Sequence, residues 1–200
     1  ALALLGWSTE NEIFLMDELI ESFKLQNVQK AAAVFDLKRF NWISSQQLAK
    51  LDDEAFFDVI KPFMKDEGIN ENSTNYKKIL LELRTSKTNL KDIAHATRPF
   101  FFELDGYDEK GVNKFLNESL ETLNFAYKLL SKIPEWNETE LDIALINVRD
   151  YFNLPIPKVN QPMRIALVGS TVSPSLGLTL ELFGKEKSLE RIQKAIDFIS

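Results

Sequence analysis

Residues 110–133 read K-G-V-N-K-F-L-N-E-S-L-E-T-L-N-F-A-Y-K-L-L-S-K-I, and this stretch shows most clearly how the chain folds. Its apolar residues recur at the three- and four-residue spacing of a helix: Val112, Phe115, Leu116, Leu120, Leu123, Tyr127 and Leu130. They form a stripe along one helical face, and Pro134 stops the pattern. The spacing predicts one long helix over about 110–133.

Helix start signals recur on both sides of this segment. Short polar residues that can cap a helix precede apolar-periodic segments at Asp36, Asp52, Asn89 and Asn137. The further predicted helices are 16–23, 37–43, 52–64, 76–83, 90–97, 137–151 and a last one ending at Ile199. Residues 1–7 resemble the end of a helix, and 8–12 offer cap chemistry for the next one. The chain therefore predicts a series of small helical units.

Prolines mark the predicted interruptions. Arg98-Pro99 is expected to end the helix that begins after Asn89, because the residue before proline avoids the helical region. Residues 153–162 contain several prolines and are expected to form an ordered connector. Ile165–Val168 is the one predicted strand. The fold class is thus all-α, with small helical bundles in series and at most one short extended segment near 164–168.

Composition limits the classes of function. The 200 residues carry a net charge of −6 and 44% apolar residues, enough for a substantial core and unlike the basic footprint of non-specific nucleic-acid binders. Residues 158–200 are the exception, with 6 Lys/Arg against 4 Asp/Glu. With no cysteine, no apolar run of membrane-span length and no basic flank at the N-terminus, the expectation is a soluble, cytoplasmic protein.

The residues alone show no catalytic or metal site. The lone histidine, His95, has no second histidine or cysteine to complete a zinc site and is interpreted as structural or surface. Neither a phosphate-binding G-x-x-x-x-G-K-[ST] nor a G-x-G-x-x-G is present. Composition and spacing alone therefore indicate only a helical protein, which is interpreted by default as an interaction module. RNA binding and a helical protein-interaction domain with no RNA role both remain open.

Several short motifs, taken in order, are more specific. They are A-L-L-G-W-S at 3–8, V-F-D-L-K-R-F-N-W-I at 34–43, S-K-T-N-L-K-D-I-A at 86–94, P-F-F-F at 99–102, P-M-R-I-A-L-V-G-S-T-V-S-P-S-L at 162–176 and F-G-K-E-K-S-L-E-R-I at 183–192. Together they resemble the C-terminal, anticodon-binding part of a bacterial-type (class I) glutamyl-tRNA synthetase. The resemblance extends over essentially the whole chain.

The resemblance implies an organisation and a role. It divides the chain into the end of a stem-contact region (1–50) and two helical anticodon-binding units (51–104 and 105–200), which form an α-helical cage. Because the HIGH and KMSKS motifs of the family do not occur, this chain is expected to hold no catalytic residue, no cofactor and no metal, and to be inactive alone. The parent is implied to be a monomeric, ATP- and Mg-dependent glutamate–tRNA ligase. Its partners would be tRNA(Glu), with tRNA(Gln) as a second candidate, and no membrane.

The resemblance also implies the site. The arginine of a family P-L-R motif matches Arg164, and a small-residue–Pro–x–Leu segment that packs against anticodon bases matches Ser173, Pro174, Ser175 and Leu176. A guanidinium suits base edges and phosphates, and a proline–leucine ledge offers a stiff apolar surface. Further tRNA-contact candidates are Arg84, Ser86, Lys87 and Lys185. Ser86 falls where some members place an arginine that reads the third anticodon base, which predicts relaxed discrimination there. Lys185, Lys187, Arg191 and Lys194 are interpreted as a solvated helix face.

Overall fold

The computed structural model describes residues 7, 13–14, 16–28 and 36–200, and in this part of the chain the regular structure is helical. The predictions for residues 1–6 and 8–12 lie outside the described residues. The elements are α1 (Met16–Ser22), a 3-10 turn (Leu25–Asn27), α2 (Leu37–Lys50), α3 (Asp53–Asp66), α4 (Tyr76–Leu83), α5 (Leu90–Phe101), α6 (Glu109–Gly111), a π-helical turn (Val112–Leu116), α7 (Leu120–Ser131), α8 (Glu138–Phe152), α9 (Ile156–Val168), α10 (Leu176–Phe183) and α11 (Lys185–Ile199). Trp7 and Val28 form an isolated antiparallel bridge. The all-α prediction is confirmed.

The predicted helix caps are also confirmed. The side chains of Asp36, Asp52, Asn89 and Asn137 each accept a hydrogen bond from a backbone N–H in the first turn that follows. Such a bond satisfies a donor that has no partner within the helix. These starts were predictable because a cap is a local interaction that needs no distant partner.

The extended segment predicted at 164–168 is wrong, and so is the connector predicted at 153–162. Both lie largely in α9, which begins at Ile156 and continues through Pro162. Pro155 and Pro157 fall at the start of the helix, where a missing N–H costs nothing. An interior proline costs about 3 kcal/mol, whereas each large apolar side chain that is buried contributes about 1.5–3 kcal/mol. Met163, Ile165 and Leu167 are all fully buried, so their packing outweighs the proline.

Two other predicted boundaries are also wrong. The α5 helix continues past Arg98 and Pro99 to Phe101, so the proline does not end it. The long helix predicted over 110–133 is interrupted: a π-helical turn ends at Leu116, and α7 begins only at Leu120. Ser119 explains the interruption, because both its backbone N–H and its hydroxyl donate to the carbonyl of Leu116, at 3.0 and 2.7 Å. The apolar stripe survives on both pieces because they pack on the same core.

The core consists of two clusters of buried apolar residues. The first cluster is built from α3, α4 and α5, with Phe56, Ile60 and Leu80 fully buried. The second is built from the π-helical turn and α7 to α11.

Helix α10 belongs to both clusters. Its sequence L-G-L-T-L-E-L-F alternates like a strand, but helical rotation sends Leu178 and Leu182 to the first cluster and Leu176 and Leu180 to the second. Helix α10 therefore joins the two clusters, together with Phe100 of α5, which packs against both.

Candidate nucleic-acid interface

A cleft of about 470 Å³ lies where the two clusters meet. One wall is formed by the turn between α4 and α5, one face of α5 and the segment that follows it, residues 103–106. The opposite wall is the C-terminal end of α9 with the loop that leads to α10. The lining includes Ser86, Lys87, His95, Arg98, Ser173 and Pro174. Candidates that are far apart in the sequence, 86–87 and 173–174, are therefore brought to one site.

Arg164 lies directly behind the second wall. This half-buried side chain donates from Nε to the hydroxyl of Ser173 at 3.1 Å and from a terminal nitrogen to the carbonyl of Pro174 at 3.4 Å. Burial lowers the pKa of its guanidinium, and the salt bridges of the described residues include no carboxylate partner for it. Arg164 thus holds the Ser173–Pro174 wall through neutral partners and keeps further donor capacity.

Ser175 and Leu176 follow this wall in the sequence and do not line the cleft. Ser175 caps α10 by accepting from the N–H of Leu178 at 3.3 Å, and its hydroxyl donates to Glu138 at 2.5 Å. Leu176 is only 3% exposed and belongs to the second core cluster. The apolar ledge that the resemblance implied therefore reduces, at the surface of this chain, to Ser173 and Pro174.

Helix α10 begins tight against α8. The N–H of Gly177 donates to a carboxylate oxygen of Asp142 at 3.2 Å. A side chain at this position would place its Cβ 2.8 Å from the carbonyl oxygen of Glu138, which is closer than real contacts allow. Burial and the nearby Glu138 raise the pKa of Asp142. The start of α10, and with it the Ser173–Pro174 wall, is fixed to α8 by this close approach.

On the first wall, Ser86 and Lys87 are exposed or partly exposed at the cleft, whereas Arg84 is engaged inside the protein. Arg84 donates to the carbonyl of Leu48 at 3.0 and 2.6 Å and to that of Leu51, and its guanidinium lies 4.9 Å from the ring centre of Phe56. Asp53 completes the arrangement at 3.2 Å. The geometry gives Arg84 a role in joining α2 to α3, with little donor capacity left for RNA.

Arg98 and His95 were not proposed as site residues from the sequence, yet both line the cleft. Arg98 donates to the carboxylate of Glu67 at 3.0 Å, and the Nδ1 atom of His95 lies 3.3 Å from the other oxygen of that carboxylate. The His95 side chain is 72% exposed, in agreement with a surface histidine. No local signal could have found them, because Glu67 and the cleft approach α5 from other parts of the chain.

The sequence predicted a solvated helix face formed by Lys185, Lys187, Arg191 and Lys194. The structure shows that this face is not uniformly solvated. Lys185 lies away from the cleft and donates to the carbonyl of Ile133 at 2.8 Å. Lys187 and Lys194 both bind the carboxylate of Glu103, whose pKa they lower to about 2. Arg191 is only 2% exposed, so its assignment to a solvated face is wrong. The reason is that the ends of α5 and α9 cover Arg191, and the spacing of residues along α11 does not reveal this contact.

The described residues show neither a metal site nor a membrane span. They contain no group of three or more histidine, aspartate or glutamate side chains placed to hold a metal ion. None of the helices in the described part is both long and apolar enough to cross a membrane.

Comparison with known proteins finds relatives that cover essentially all of this chain. The glutamate–tRNA ligase of Thermodesulfovibrio yellowstonii is 33% identical over 203 residues, covering 98% of this chain and 44% of that protein. Glutamate–tRNA ligase 1 of Syntrophomonas wolfei is 31% identical over 205 residues, covering 100% of this chain and 41% of that protein. The crystal structure of a glutamate tRNA ligase from Elizabethkingia meningosepticum in complex with its amino acid superposes with a TM-score of 0.82 at 27% identity, covering all of this chain and 40% of that one.

This chain thus spans about two fifths of the length of these relatives. The matches confirm the resemblance found in the motifs. Residues 55–196 match the family described as the anticodon binding domain, and this range includes both core clusters and the cleft between them. The chain belongs to the anticodon binding domain family.

Proposed function

We propose that this chain binds the anticodon arm of a tRNA, with the cleft between α5 and the α9–α10 loop as the site. The observation that carries the proposal is that one cleft joins Ser86 and Lys87 to Ser173 and Pro174, in a chain of this family. Unstacked bases are recognised by stiff apolar surfaces, by stacking and by hydrogen bonds to their edges. Pro174 supplies the surface, while Lys87, Ser173 and the carbonyl and N–H groups of the loop supply the polar contacts.

The larger assignment belongs to the same proposal. The parent protein is a glutamate–tRNA ligase that attaches glutamate to tRNA(Glu) with ATP and Mg, and this chain supplies recognition without catalysis. Its residues 51–104 and 105–200 act as two anticodon-binding units, following a region, 1–50, that contacts the tRNA stem. The two core clusters support a division near residue 104, with α10 and Phe100 of α5 contributing to both.

The direct test measures binding of a tRNA(Glu) transcript and of the same transcript with its three anticodon bases replaced. We expect the chain to prefer the first. Arg164→Ala should reduce that preference by about tenfold, the equivalent of one base contact. Arg149→Ala is the matched control, because Arg149 lies on α8 and pairs with its neighbour Asp150, outside the cleft.

Equal binding of both transcripts by the unchanged chain would contradict the proposal and favour a helical protein-interaction domain. An unchanged preference in Arg164→Ala, with the fold intact by circular dichroism, would contradict the site alone. Leu176→Asp is unsuitable as a test, because a carboxylate in the core would unfold the second cluster.

Ser86 provides a test of specificity within the same proposal. Its hydroxyl donates to the carbonyl of Leu83 at 2.6 Å and offers no positive charge to the cleft. We therefore propose that the chain binds tRNA(Glu) and tRNA(Gln) transcripts with similar affinity, and that Ser86→Arg separates them. Strong discrimination by the unchanged chain would overturn this assignment.

A further inference from the structure

Arg191 is a buried cation that joins both walls of the cleft. From α11, one terminal nitrogen of its guanidinium donates to the carbonyl of Leu167 and the other donates to the carbonyl of Phe102 at 2.7 Å. Its Nε is buried with no hydrogen-bond partner. Leu167 directly precedes the residues of α9 that line one wall, and Phe102 directly precedes residues 103–106 of the other. One planar group therefore connects the two sides.

Both carbonyls belong to the C-terminal ends of helices. Phe102 is the residue that caps α5, and Leu167 lies in the last turn of α9. Carbonyls at helix ends lack intrahelical partners and carry partial negative charge, so a cation there is favourable. The rigid fork of a guanidinium can bind two such carbonyls at once and fix their separation, whereas the ammonium of lysine is a point donor on a flexible stem and fixes no such separation.

A column of stacked groups leads from Arg191 to the cleft. The guanidinium lies 4.4 Å from the ring centre of Phe183, and Phe183 stacks on Phe100 with ring centres 4.7 Å apart and planes at 10°. Phe100 itself lines the cleft. Stacking of this kind restricts the tilt of the groups involved. Arg191 thus reaches the cleft by a third route, through the face of α5.

Salt bridges at the protein surface also attach the 102–106 segment to α11. Lys187 and Lys194, one turn on either side of Arg191 along α11, both bind the carboxylate of Glu103. These groups are substantially exposed, and exposed ion pairs contribute little. The buried bonds of Arg191 therefore dominate the attachment of the 102–106 segment to α11.

We propose that Arg191 is a positioning residue for anticodon recognition, which sets the separation between the α5 wall and the α9 wall without touching RNA. The inference rests on the proposed function. Lysine at this position keeps the charge but lacks the rigid fork that fixes the separation of the two carbonyls, and methionine keeps the bulk of the side chain but binds neither. Either substitution releases one wall from the other, so the cleft no longer matches its RNA.

The first measurement is the anticodon preference, the ratio of affinities for the tRNA(Glu) transcript and its anticodon-replaced counterpart. It is taken well below the unfolding midpoint of each variant. We expect Arg191→Lys and Arg191→Met to lower the ratio by about tenfold, as the loss of one base contact would. Affinity for the anticodon-replaced transcript should stay unchanged. Lys128→Met on the exposed face of α7 is the control that removes a charge away from the cleft, and it should leave the ratio unchanged.

The second measurement needs no RNA. The chain contains no cysteine, so spin labels can be attached at Lys91→Cys on α5 and Ile156→Cys on α9, two exposed positions. Arg191→Met should shift and broaden the distance distribution between the labels, while Lys128→Met should leave it unchanged.

An unchanged distance distribution or an unchanged ratio in Arg191→Met would overturn the positioning role, even if the thermal stability falls. A chain that shows no anticodon preference before any substitution would overturn the proposed function and this inference together. A preference that is present and survives in Arg191→Met would overturn this inference alone.

Discussion

At the scale of single residues, the arginines of this chain serve different purposes. Arg84 and Arg191 use their forked donors on backbone carbonyls, Arg98 pairs with a carboxylate, and Arg164 holds a loop through neutral partners. Arginine suits all four positions because its donors are rigidly spaced and its charge persists when it is buried. Arg164 is half-buried beside the cleft and lacks a carboxylate partner among the described residues, so it is the arginine that we propose exchanges its partners for RNA.

Arg84→Met should destabilise the fold. The substitution leaves the carbonyls of Leu48 and Leu51 without their donors, and stranded buried carbonyls cost about 1–3 kcal/mol each. We expect the free energy of unfolding to fall by about 2–4 kcal/mol in urea titrations. Lys91→Met, at an exposed position on α5, is the control and should change it by less than about 0.5 kcal/mol. Equal stability of the two variants would show that Arg84 is dispensable for joining α2 to α3.

Glu103 should titrate far below an ordinary glutamate. Hydrogen bonds from Lys187 and Lys194 hold its pKa at about 2 in the folded chain, compared with 4.5 for the unperturbed group. Because the folded pKa is depressed, the stabilisation is complete above about pH 4.5 and is lost as the pH falls toward 2. A carbon-13 titration of the Glu103 carboxyl should find this low midpoint. The double variant Lys187→Met/Lys194→Met should return it toward 4.5, and an unchanged midpoint would contradict the assignment.

The sequence could predict individual residues only where their role is local. The caps Asp36, Asp52 and Asn89 were predictable, because each bonds to a backbone N–H two or three residues away. Arg191 was not, since its spacing along α11 is the same as that of its solvated neighbours. Its burial depends on where α5 and α9 end.

At the scale of elements, prolines and a short apolar run led to wrong predictions where packing determined the structure. The α5 and α9 helices contain Pro99 and Pro162, yet both persist because each helix buries several of its residues in the core. A four-residue apolar run such as 165–168 fits a strand or a buried helix equally well. Only the neighbours that cover the run distinguish the two, and a single sequence does not contain that information. The resemblance, by contrast, pointed to the loop between α9 and α10, and Ser173 and Pro174 of that loop line the cleft.

Gly177→Ala should displace α10. The new Cβ would lie 2.7 Å from the Cγ of Asp142 and 2.8 Å from the carbonyl oxygen of Glu138, and the second of these atoms is backbone that cannot rotate away. Overpacking of this kind costs about 1–3 kcal/mol. We expect a loss of that size in urea titrations, together with a weaker anticodon preference, because α10 carries the Ser173–Pro174 wall.

The double variant Gly177→Ala/Asp142→Ala should recover little of this stability, since the clash with the backbone remains. Full recovery would show that the side chain of Asp142, and not the close approach of the backbones, limits this position.

At the scale of the whole molecule, the positive charge of residues 158–200 is largely neutralised within the fold. Lys158 pairs with Glu118, Lys187 and Lys194 share Glu103 and Glu190, and Arg191 is buried. An excess that the sequence displays as a basic stretch is therefore not a basic surface. In a chain whose net charge is −6, this segment therefore has little positive charge left for contacts with phosphates.

We therefore expect the affinity for tRNA(Glu) to depend only moderately on salt. A plot of log K against log salt concentration should have a slope between about −1 and −3, corresponding to the displacement of few counterions. Arg164→Ala should change the slope by less than about 1, because the partners that we propose for Arg164 are base edges more than phosphates. A slope steeper than about −6 would indicate an extended phosphate contact and contradict the proposed mode of binding.

Helix α10 presents leucines to both core clusters, and this couples the local unfolding of one cluster to that of the other. A helix of 8 residues does not persist without its tertiary contacts, so solvent that reaches either cluster also releases α10 from the other. Amide hydrogens in α4 and in α8 should then exchange with deuterium through one shared opening, at similar free energies. The cleft would accordingly be gained and lost as a whole, with neither wall surviving the unfolding of the other.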